Sequence, residues 1–498
     1  MALIAALWFL STTALASDGL PAGLVDRIEA TRARFGVPGL AVSVVVGDDI
    51  VYEGGFGVTS RANPQPVDEH TLFGIASVTK TFTASAVATL RAQGKLDWDD
   101  AVITHLPWFR LSQDYATGEA TLRDLLSHRT GLARGDRIAL GGFDRSETVR
   151  RLRNEPFTNG FRQEFTYSNV LYGALGLIVE ARFGRSWEAF VQNELFDRLG
   201  MRRTLFYGAD LLADDNLAKP HVVVDYLGTD LHAVEFQDSR NYAPAGGIYS
   251  SAHDLALWIR AHLKRLQQPP QLPFDAETQA VMESPQSLIP QEGYLASVYP
   301  EAHFLAYGLG WFVTEYAGER FVFHPGGGAG VAALVAMVPE RRLGVAVLAN
   351  HGWVVKDVVA NTVLDHLLER PARDWTALLS EHHEGPQGIV RYYKELVAQR
   401  VKGTSPSLPL EGYVGIYEHP VYGAAQVELA DARLVLRSGK ILADLEHWHY
   451  DTFAAYHRNL HIGFDTVTFV LDASGRPAEL QLLDVAGYRR RDAAGQHH

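Results

Sequence analysis

The sequence of 498 residues contains no cysteine. This absence excludes disulfide bonds, thiolate zinc sites, iron–sulfur clusters and a cysteine nucleophile. The chain also lacks an excess of basic residues, because 58 acidic side chains outnumber 45 lysines and arginines and give a formal net charge of −13. Phosphate backbones require a positively charged face, so we expect no nucleic acid partner. Beyond the N-terminus, no stretch of the sequence is long and apolar enough to cross a bilayer.

The N-terminus resembles a leader for export. Its apolar run, MALIAALWFLSTTALASDG, contains Ala14-Leu15-Ala16, the small-x-small pattern of a signal-peptidase site, although the usual basic residues before the run are missing. We therefore predict a signal peptide at residues 1–16 and a periplasmic or secreted protein. A floppy apolar tail or a membrane-associated helix is the alternative for the leader, and the cytoplasm is the alternative location.

The remaining chain is longer than one compact domain usually is, and its character changes along its length. A hairpin pattern, VPGLAVSVVVGDDIVYEGGFG, begins a sheet, and helical periodicity dominates from about 85 to 240. Strand patterns return from about 245, followed by a helical segment and the linker KGTSPSLPL. Short alternating strands then fill the C-terminal part. We predict a first and larger domain at 22–370, a helical linker at 371–409 and a small antiparallel β-barrel at 410–498.

The most informative stretch runs from Phe73 to Leu90, FGIASVTKTFTASAVATL. A turn is followed there by an apolar helix, which opens with Ser77 and Lys80. Residues three apart share a helix face, so the serine hydroxyl and the lysine amine can meet. The first turn of a helix stabilises a developing alkoxide, and a lysine withdrawn from water can accept a proton. The Ser-x-x-Lys spacing also arises by chance, but its place after a hairpin and at the start of a buried helix favours a nucleophile and its base.

A second candidate element is EFTYSNVLYGALG, in which Tyr167 and Asn169 precede another apolar helix. A tyrosine beside a cation can act as a general acid or base, and an asparagine can hold both a lysine and a substrate carbonyl. The alternative interpretation is that the aromatic residue only packs against the start of the helix.

The third candidate element, FVFHPGGGAG, contains His324, Gly326 and Gly327. A strand that ends in glycines lets a substrate come close, and a glycine N–H can contribute to an oxyanion hole. Pro325 has no N–H to donate, so we expect an edge strand that is open on one side. A phosphate-binding loop is disfavoured, because the Walker lysine and the dinucleotide spacing are both missing.

Taken in order, SVTK, YSN and HPG resemble the serine β-lactamase and penicillin-binding-protein-like hydrolases. The stretches TLRDLLSHRTGL, PAGGIYSSAHDLALW and YGLGW look like framework segments of the same family, so the resemblance covers about residues 22–370. It implies an α/β (α+β) fold in which an antiparallel sheet is flanked by helices and carries an inserted all-helical subdomain at about 85–240. The tail is similar to the lipocalin-like barrel that some peptidase-like members append.

The resemblance also implies roles for the matching residues. Ser77 would be acylated, Lys80 would take its proton, and Asn169 would orient the lysine and the substrate. Tyr167 would protonate the leaving group and later activate water. The backbone N–H groups of Ser77 and Gly327 would form the oxyanion hole.

His324 departs from the family pattern, because many members carry a lysine there, followed by threonine and glycine. The hydroxyl is missing and the cation depends on pH, so we expect weaker recognition of a substrate carboxylate. The His-x-Gly form resembles the aminopeptidase-like and esterase-like branches. We therefore expect a serine peptidase or amidase that acts on short peptides, including peptides with D- or unusual residues. An esterase or β-lactamase of the same mechanism, an acyltransferase, and a non-catalytic binding or scaffold protein are the alternatives.

We expect no cofactor and no metal site. The histidines of HWHY at 447–450 and the pair His382-His383 lack a carboxylate cluster or zincin spacing. The expected partner is a small peptide or ester substrate, and the C-terminal barrel is predicted to cap the cleft or to mediate self-association. His128 is expected to form local hydrogen bonds near the site, and Tyr172 and Trp311 to pack or to form a pocket wall.

Overall fold

The computed structural model describes residues 19–132, 135–224, 230–264, 270–380, 393–460, 463–483 and 485–491. The predicted signal peptide and the pair His382-His383 lie outside these residues. The strands before the linker are β1 (Gly39–Val46), β2 (Asp49–Gly57), β3 (Phe73–Gly74), β4 (Leu205–Phe206), β5 (His221–Val223), β6 (Leu231–Ala233), β7 (Ile248–Ser250), β8 (Ser287–Ile289), β9 (Leu305–Tyr307), β10 (Phe312–Tyr316), β11 (Glu319–Gly328), β12 (Val331–Val338) and β13 (Leu343–Ala349).

The helices of the same part follow one another along the chain. They are α1 (Ala22–Arg34), α2 (Thr79–Ala92), α3 (Val102–His105), α4 (Asp114–Glu119), α5 (Leu122–Leu126), α6 (Arg145–Arg150), α7 (Asn169–Phe183), α8 (Trp187–Val191), α9 (Asp197–Leu199), α10 (Ala209–Leu212), α11 (Ala243–Gly246), α12 (Ala252–Leu263), α13 (Ala276–Met282), α14 (Gly293–Val298), α15 (Val355–Leu367) and α16 (Trp375–Leu379).

The central layer is an eight-stranded antiparallel sheet in the order β2-β1-β13-β12-β11-β10-β9-β8. Successive side chains of a strand point to opposite faces, and both faces of this sheet are covered. Val42 and Val347 belong to the hydrophobic cluster that includes α1 and α15, whereas Ala41 and Leu348 belong to the cluster that includes α2 and α12. Burial on both sides explains why β1 reads as the continuous apolar run GLAVSVVV.

The helical residues between β3 and β7 pack around α2, which is buried on every side from Thr79 to Leu90. This helix lies in the interior although it carries threonines and Lys80 among its apolar residues, and α7 contacts it there. This arrangement confirms the predicted antiparallel sheet flanked by helices. The insertion at about 85–240 is mainly helical but not all-helical as predicted, because the short strands β4, β5 and β6 lie within it.

One prediction about the sheet is wrong. Strand β11 is not an edge strand, because it pairs with β12 on one side and with β10 on the other. Its pairing with β10 ends at Phe323, whereas its pairing with β12 continues to Gly328. The segment from Pro325 to Gly328 is therefore open on one side although the strand as a whole is internal.

The C-terminal part is a closed barrel of eight antiparallel strands in sequential order. The strands are β14 (Gly415–His419), β15 (Gly423–Ala430), β16 (Arg433–Ser438), β17 (Ile441–His449), β18 (Thr452–His457), β19 (Phe464–Leu471), β20 (Pro477–Leu482) and β21 (Val485–Arg490). Alternating apolar residues fill its interior, among them Val427, Leu436 and Phe453. The barrel confirms the predicted fold of this part, and its likeness to lipocalins stays a prediction.

The barrel packs against the helical insertion. Val421 joins the main hydrophobic cluster of the part of the chain before the linker. The Arg151 guanidinium donates hydrogen bonds to the carbonyl groups of Pro420 and Val421. A second contact comes from the turn between β16 and β17, where Lys440 reaches the segment before α11. Of the residues described, none forms a helix that is long and apolar enough to span a membrane.

Candidate active site

Ser77 lies in a short 3-10 turn, Ala76–Val78, which leads directly into α2. Strand β3 approaches this turn while paired with β7, and the Ile75 N–H donates a hydrogen bond to the Ile248 carbonyl. Ala76 then adopts a positive φ of 44°. A non-glycine residue in this conformation costs on the order of 1–3 kcal/mol and is concentrated at functional sites. The strained turn presents the Ser77 side chain to the cleft.

Lys80 lies fully buried in the first turn of α2. Its Nζ is 3.1 Å from Ser77 Oγ, 2.6 Å from Asn169 Oδ1 and 2.7 Å from the Ala245 carbonyl oxygen. In the neutral amine, two N–H groups can stay directed at Asn169 and Ala245 while the lone pair faces Ser77. The structure thus joins the predicted nucleophile and base by a direct hydrogen bond.

The threonines interleaved in this helix fix the partner segment of Lys80. The Ile248 N–H donates to Thr79 Oγ1 at 3.2 Å, and Thr83 Oγ1 donates to the Pro244 carbonyl at 2.6 Å. These bonds attach α2 to α11 and to the start of β7, and the Ala245 carbonyl between them meets Lys80. The polar residues of an otherwise apolar helix therefore serve to position the site.

Tyr167 and Asn169 come from the loop that starts α7. The Ser168 N–H donates to His128 Nδ1 at 3.1 Å, and the Tyr167 and His128 rings lie 4.2 Å apart between centroids. Lys80 Nζ is 4.9 Å from the centre of the Tyr167 ring. The phenol, the amine and the Asn169 amide predicted to act together are thus neighbours, and the predicted local bond of His128 holds their loop.

His324 is buried beneath the site instead of opening into it. Its Nδ1–H donates to the Pro325 carbonyl at 2.7 Å, so Nε2 accepts the hydrogen bond from the Tyr307 hydroxyl at 2.9 Å. Burial, together with the charged form of the nearby Lys80, lowers the pKa of His324 to about 3. At neutral pH the imidazole is uncharged and therefore supplies no cation where related enzymes carry a lysine.

Gly326 and Gly327 allow two close approaches on opposite faces of β11. A β-carbon at Gly326 would lie 2.1 Å from the Ile75 carbonyl oxygen and 3.2 Å from the Ser77 nitrogen. A β-carbon at Gly327 would lie 2.0 Å from the ring of Trp353. Only glycine fits at either position, so the strand rests directly on the Ser77 turn on one face and on Trp353 on the other.

An open cleft of about 160 Å³ lies over these groups. Ser77 and Asn169 form part of its floor, and Gly327 lies at its strand side. A further wall comes from the segment 236–242 before α11, through Phe236, Gln237, Ser239 and Tyr242. Burial raises the pKa of Tyr249, which also lines the cleft, so this phenol is neutral at physiological pH.

Residues 24–370 match the Beta-lactamase family. The chain belongs to the β-lactamase family. It is 27% identical over 493 residues to the unguisins hydrolase ungD of Aspergillus violaceofuscus, a match that covers 90% of this chain and 83% of that protein. Residues 399–493 match a second family, a domain of unknown function, DUF3471.

Solved structures share the fold of this β-lactamase family member. The octameric penicillin-binding protein homologue from Pyrococcus abyssi has a TM-score of 0.61 at 23% identity, over 94% of this chain and 98% of that one. The D-alanine carboxypeptidase AmpC from Burkholderia cenocepacia has a TM-score of 0.57 at 21% identity, over 69% and 99%. The family is one of serine hydrolases of the β-lactamase and penicillin-binding type, as the sequence motifs predicted.

Several residues of this β-lactamase-like site escaped the sequence interpretation. Tyr307 and Ala245 lie within stretches that resemble family framework, YGLGW and PAGG, but their bonds to His324 and Lys80 were not expected. No feature of the sequence pointed to Trp353, whose ring lies against Gly327.

Tyr172 and Trp311, which were expected to pack or to form a pocket wall, are fully buried packing residues outside the cleft lining. Among the described residues, no cluster of three or more His, Asp or Glu side chains could hold a metal ion.

Proposed function

We propose that this protein hydrolyses amide bonds in short peptides through an acyl-enzyme on Ser77. The observation that carries the proposal is the hydrogen-bonded series Ser77–Lys80–Asn169 at the floor of an open cleft. A serine hydroxyl is a weak nucleophile until an adjacent base takes its proton. The buried amine 3.1 Å away is placed for this task.

In the acylation step, Ser77 Oγ attacks the substrate carbonyl carbon and its proton passes to Lys80 Nζ. The amine gains a third N–H and becomes an ammonium, which keeps its bonds to Asn169 and Ala245. These two acceptors therefore stabilise the protonated base and hold it beside the oxygen that it has just deprotonated. The cost of charging a buried lysine is reduced in this way.

The oxyanion that forms would be held by backbone donors from Ser77 and Gly327. The Pro325 nitrogen carries no hydrogen and needs no acceptor on a neighbouring strand. This favours an orientation in which the nitrogen faces the open side of β11. The N–H groups of residues two apart in a strand point to the same side. Gly327 would then direct its N–H towards the cleft, beyond the last β10 partner at Phe323. Removal of one such donor typically costs about 2.7–4 kcal/mol of transition-state stabilisation.

Collapse of the tetrahedral intermediate breaks the C–N bond, and the leaving amine takes a proton from the Tyr167 hydroxyl. In the proposed relay, the proton held by Lys80 then restores the phenol. Lys80 Nζ lies 4.9 Å from the centre of the Tyr167 ring. In the second half of the reaction, water loses a proton to the same pair and attacks the ester carbonyl. Release of the acid regenerates the Ser77 hydroxyl, so the cycle consumes one water.

Two relatives by sequence or fold support hydrolysis at an amide or related acyl group. The sequence relative is named as a hydrolase of unguisins, and one structural neighbour as a D-alanine carboxypeptidase. The buried, neutral His324 disfavours the second substrate type, because it offers no positive charge to a terminal carboxylate. A peptide held mainly by uncharged contacts fits the site better.

The test uses the full chain with a library of short peptide amides, matched aryl esters and a β-lactam. Amine release together with a mass increase on Ser77 is the expected result, and Ser77→Ala should abolish both. Hydrolysis of the esters alone would replace the peptidase assignment by an esterase, and hydrolysis of the β-lactam alone by a β-lactamase. No adduct with a fluorophosphonate probe would favour a non-catalytic binding protein.

A further inference from the structure

The cleft above Ser77 is polar but uncharged. Of the described residues that line it, none is aspartate, glutamate, lysine or arginine. Its polar side chains are Ser77, Asn169, Gln237, Ser239, Tyr242 and Tyr249, and the remaining lining residues are glycine, alanine, proline, phenylalanine or valine. Hydrogen bonds are therefore the polar contacts that this lining offers to a substrate.

Two ion pairs lie in and beside the 236–242 wall. Lys219 Nζ and the Glu235 carboxylate are 2.8 Å apart, and the Asp238 carboxylate and the Arg240 guanidinium are 2.5 Å apart. Each pair brings one positive and one negative charge together. A further cation, Lys440, donates to the Asp238 carbonyl and to Asn241 Oδ1 and is not among the residues that line the cleft. Lys219 and Glu235 precede the wall in the chain, and Asp238 and Arg240 lie within it, yet none of the four is among the residues that line the cleft.

The position of the related enzymes' lysine adds no charge either. His324 uses both ring nitrogens inside the protein, on Tyr307 and on the Pro325 carbonyl. The ammonium form of Lys80 also lies below the floor, where its hydrogens point at Ser77, Asn169 and Ala245. Among the described residues that line the cleft, a substrate carboxylate would consequently meet no cation, and a substrate ammonium would meet no carboxylate.

We propose, on the basis of the proposed peptide hydrolysis, that the substrates are peptides with no ionised terminus near the scissile bond, that is, end-capped or ring-closed peptides. An ionised end group that enters the cleft loses hydration and gains no ion pair in return. The amide groups of a capped or cyclic peptide instead match the donors and acceptors of the lining. The site is thus unlike one built to recognise either free end of a chain.

The test compares one short sequence in four forms: capped at both ends, with a free carboxylate, with a free amine, and cyclised head to tail. The scissile bond is kept within two residues of each end, and the full chain is assayed at neutral pH. We expect kcat/KM for the capped or cyclic form to exceed that for both free-ended forms by at least about 10-fold. Equal values, or a preference for a free end, would overturn the inference.

The same end groups are also carried on an ester series. If the protein cleaves the esters but none of the amides, the proposed peptidase function fails, yet the ratio between end groups still decides this inference. If Ser77→Ala loses all turnover, the measured rates come from hydrolysis at Ser77. The peptidase assignment and the preference for uncharged end groups are therefore contradicted by different results.

A gain of charge provides an independent measurement. Gln237 is half-buried in the cleft wall, and Gln237→Arg adds a cation where the lining has none. We expect the ratio of free-carboxylate to capped kcat/KM to rise at least about 10-fold in this variant. The matched neutral variant Gln237→Met removes the same amide without adding a charge, so the rise is measured against the ratio of that variant. An unchanged ratio in Gln237→Arg, with the fold verified by circular dichroism, would contradict the inference.

Discussion

Replacing Gly326 with alanine tests how closely the glycine strand must approach the Ser77 turn. The added methyl group would lie 2.1 Å from the Ile75 carbonyl oxygen and 3.2 Å from the Ser77 nitrogen. Non-bonded heavy atoms make contact at about 3.5–4.0 Å, so strand and turn must separate by about 1 Å or more. Both neighbours are backbone atoms, and no flexible side chain can move aside to relieve the overlap.

This separation should weaken catalysis far more than binding. The N–H groups of Ser77 and Gly327 lie on the two sides of the gap, so widening it spoils the proposed oxyanion hole. A misplacement of about 1 Å can reduce an enzymatic rate about 100-fold, and we expect that loss in kcat with a smaller change in KM. The overlap should also lower the free energy of unfolding by about 1–3 kcal/mol.

The assay is steady-state hydrolysis of a substrate identified by the peptide and ester library, below the melting transition of the variant. Gly118→Ala is the matched control, because Gly118 lies in α4 and its β-carbon would meet no heavy atom within 4 Å. A folded Gly326→Ala protein with the kcat of the wild type would refute the reasoning about this contact.

Three further outcomes are expected. Asn169→Ala removes the oxygen that accepts a 2.6 Å hydrogen bond from Lys80. This change should lower kcat about 100-fold, which single-turnover acylation would measure. Asn169→Asp should alter the pH dependence of kcat. Because the pKa of His324 is about 3 in the folded protein and about 6.5 when unfolded, the unfolded chain binds more protons between these values. Stability should thus fall by about 2 kcal/mol from pH 6.5 to 5 through this group, and urea unfolding of His324→Gln should show a shallower pH dependence. Lys440→Met removes hydrogen bonds to Asp238 and Asn241 beside the cleft wall and should raise KM more than it changes kcat; an unaltered KM would contradict this.

Local spacing was sufficient to predict the centre of the site. Ser77 and Lys80 belong to one helical start, so the i,i+3 geometry alone predicts their contact, and the structure contains it. The contact of Lys80 with Asn169 spans 89 residues, and the order of motifs, through a family resemblance, was what indicated it. The physical pattern of the Tyr-x-Asn segment by itself was ambiguous.

Features that depend on strand register were beyond the sequence. The position of β11 inside the sheet was predicted wrongly, because the missing N–H of Pro325 was taken to describe the whole strand. In fact the neighbouring strand β10 simply ends its pairing at Phe323. Likewise, the bond between Tyr307 and His324 joins two strands that both pair with β10. Such relations follow from where neighbouring strands start and stop, which composition and periodicity do not encode.

The attachment of the barrel determines how its role can be studied. Val421 belongs to the hydrophobic cluster of the catalytic part, and Lys440 binds the backbone of the segment that forms one side of the cleft. Deleting residues after about 405 would uncover apolar surface and release that segment at the same time. Shortened chains would therefore differ from the intact protein in solubility as well as in selectivity. Single substitutions at the contact between the barrel and the rest of the chain test the role of the barrel more directly.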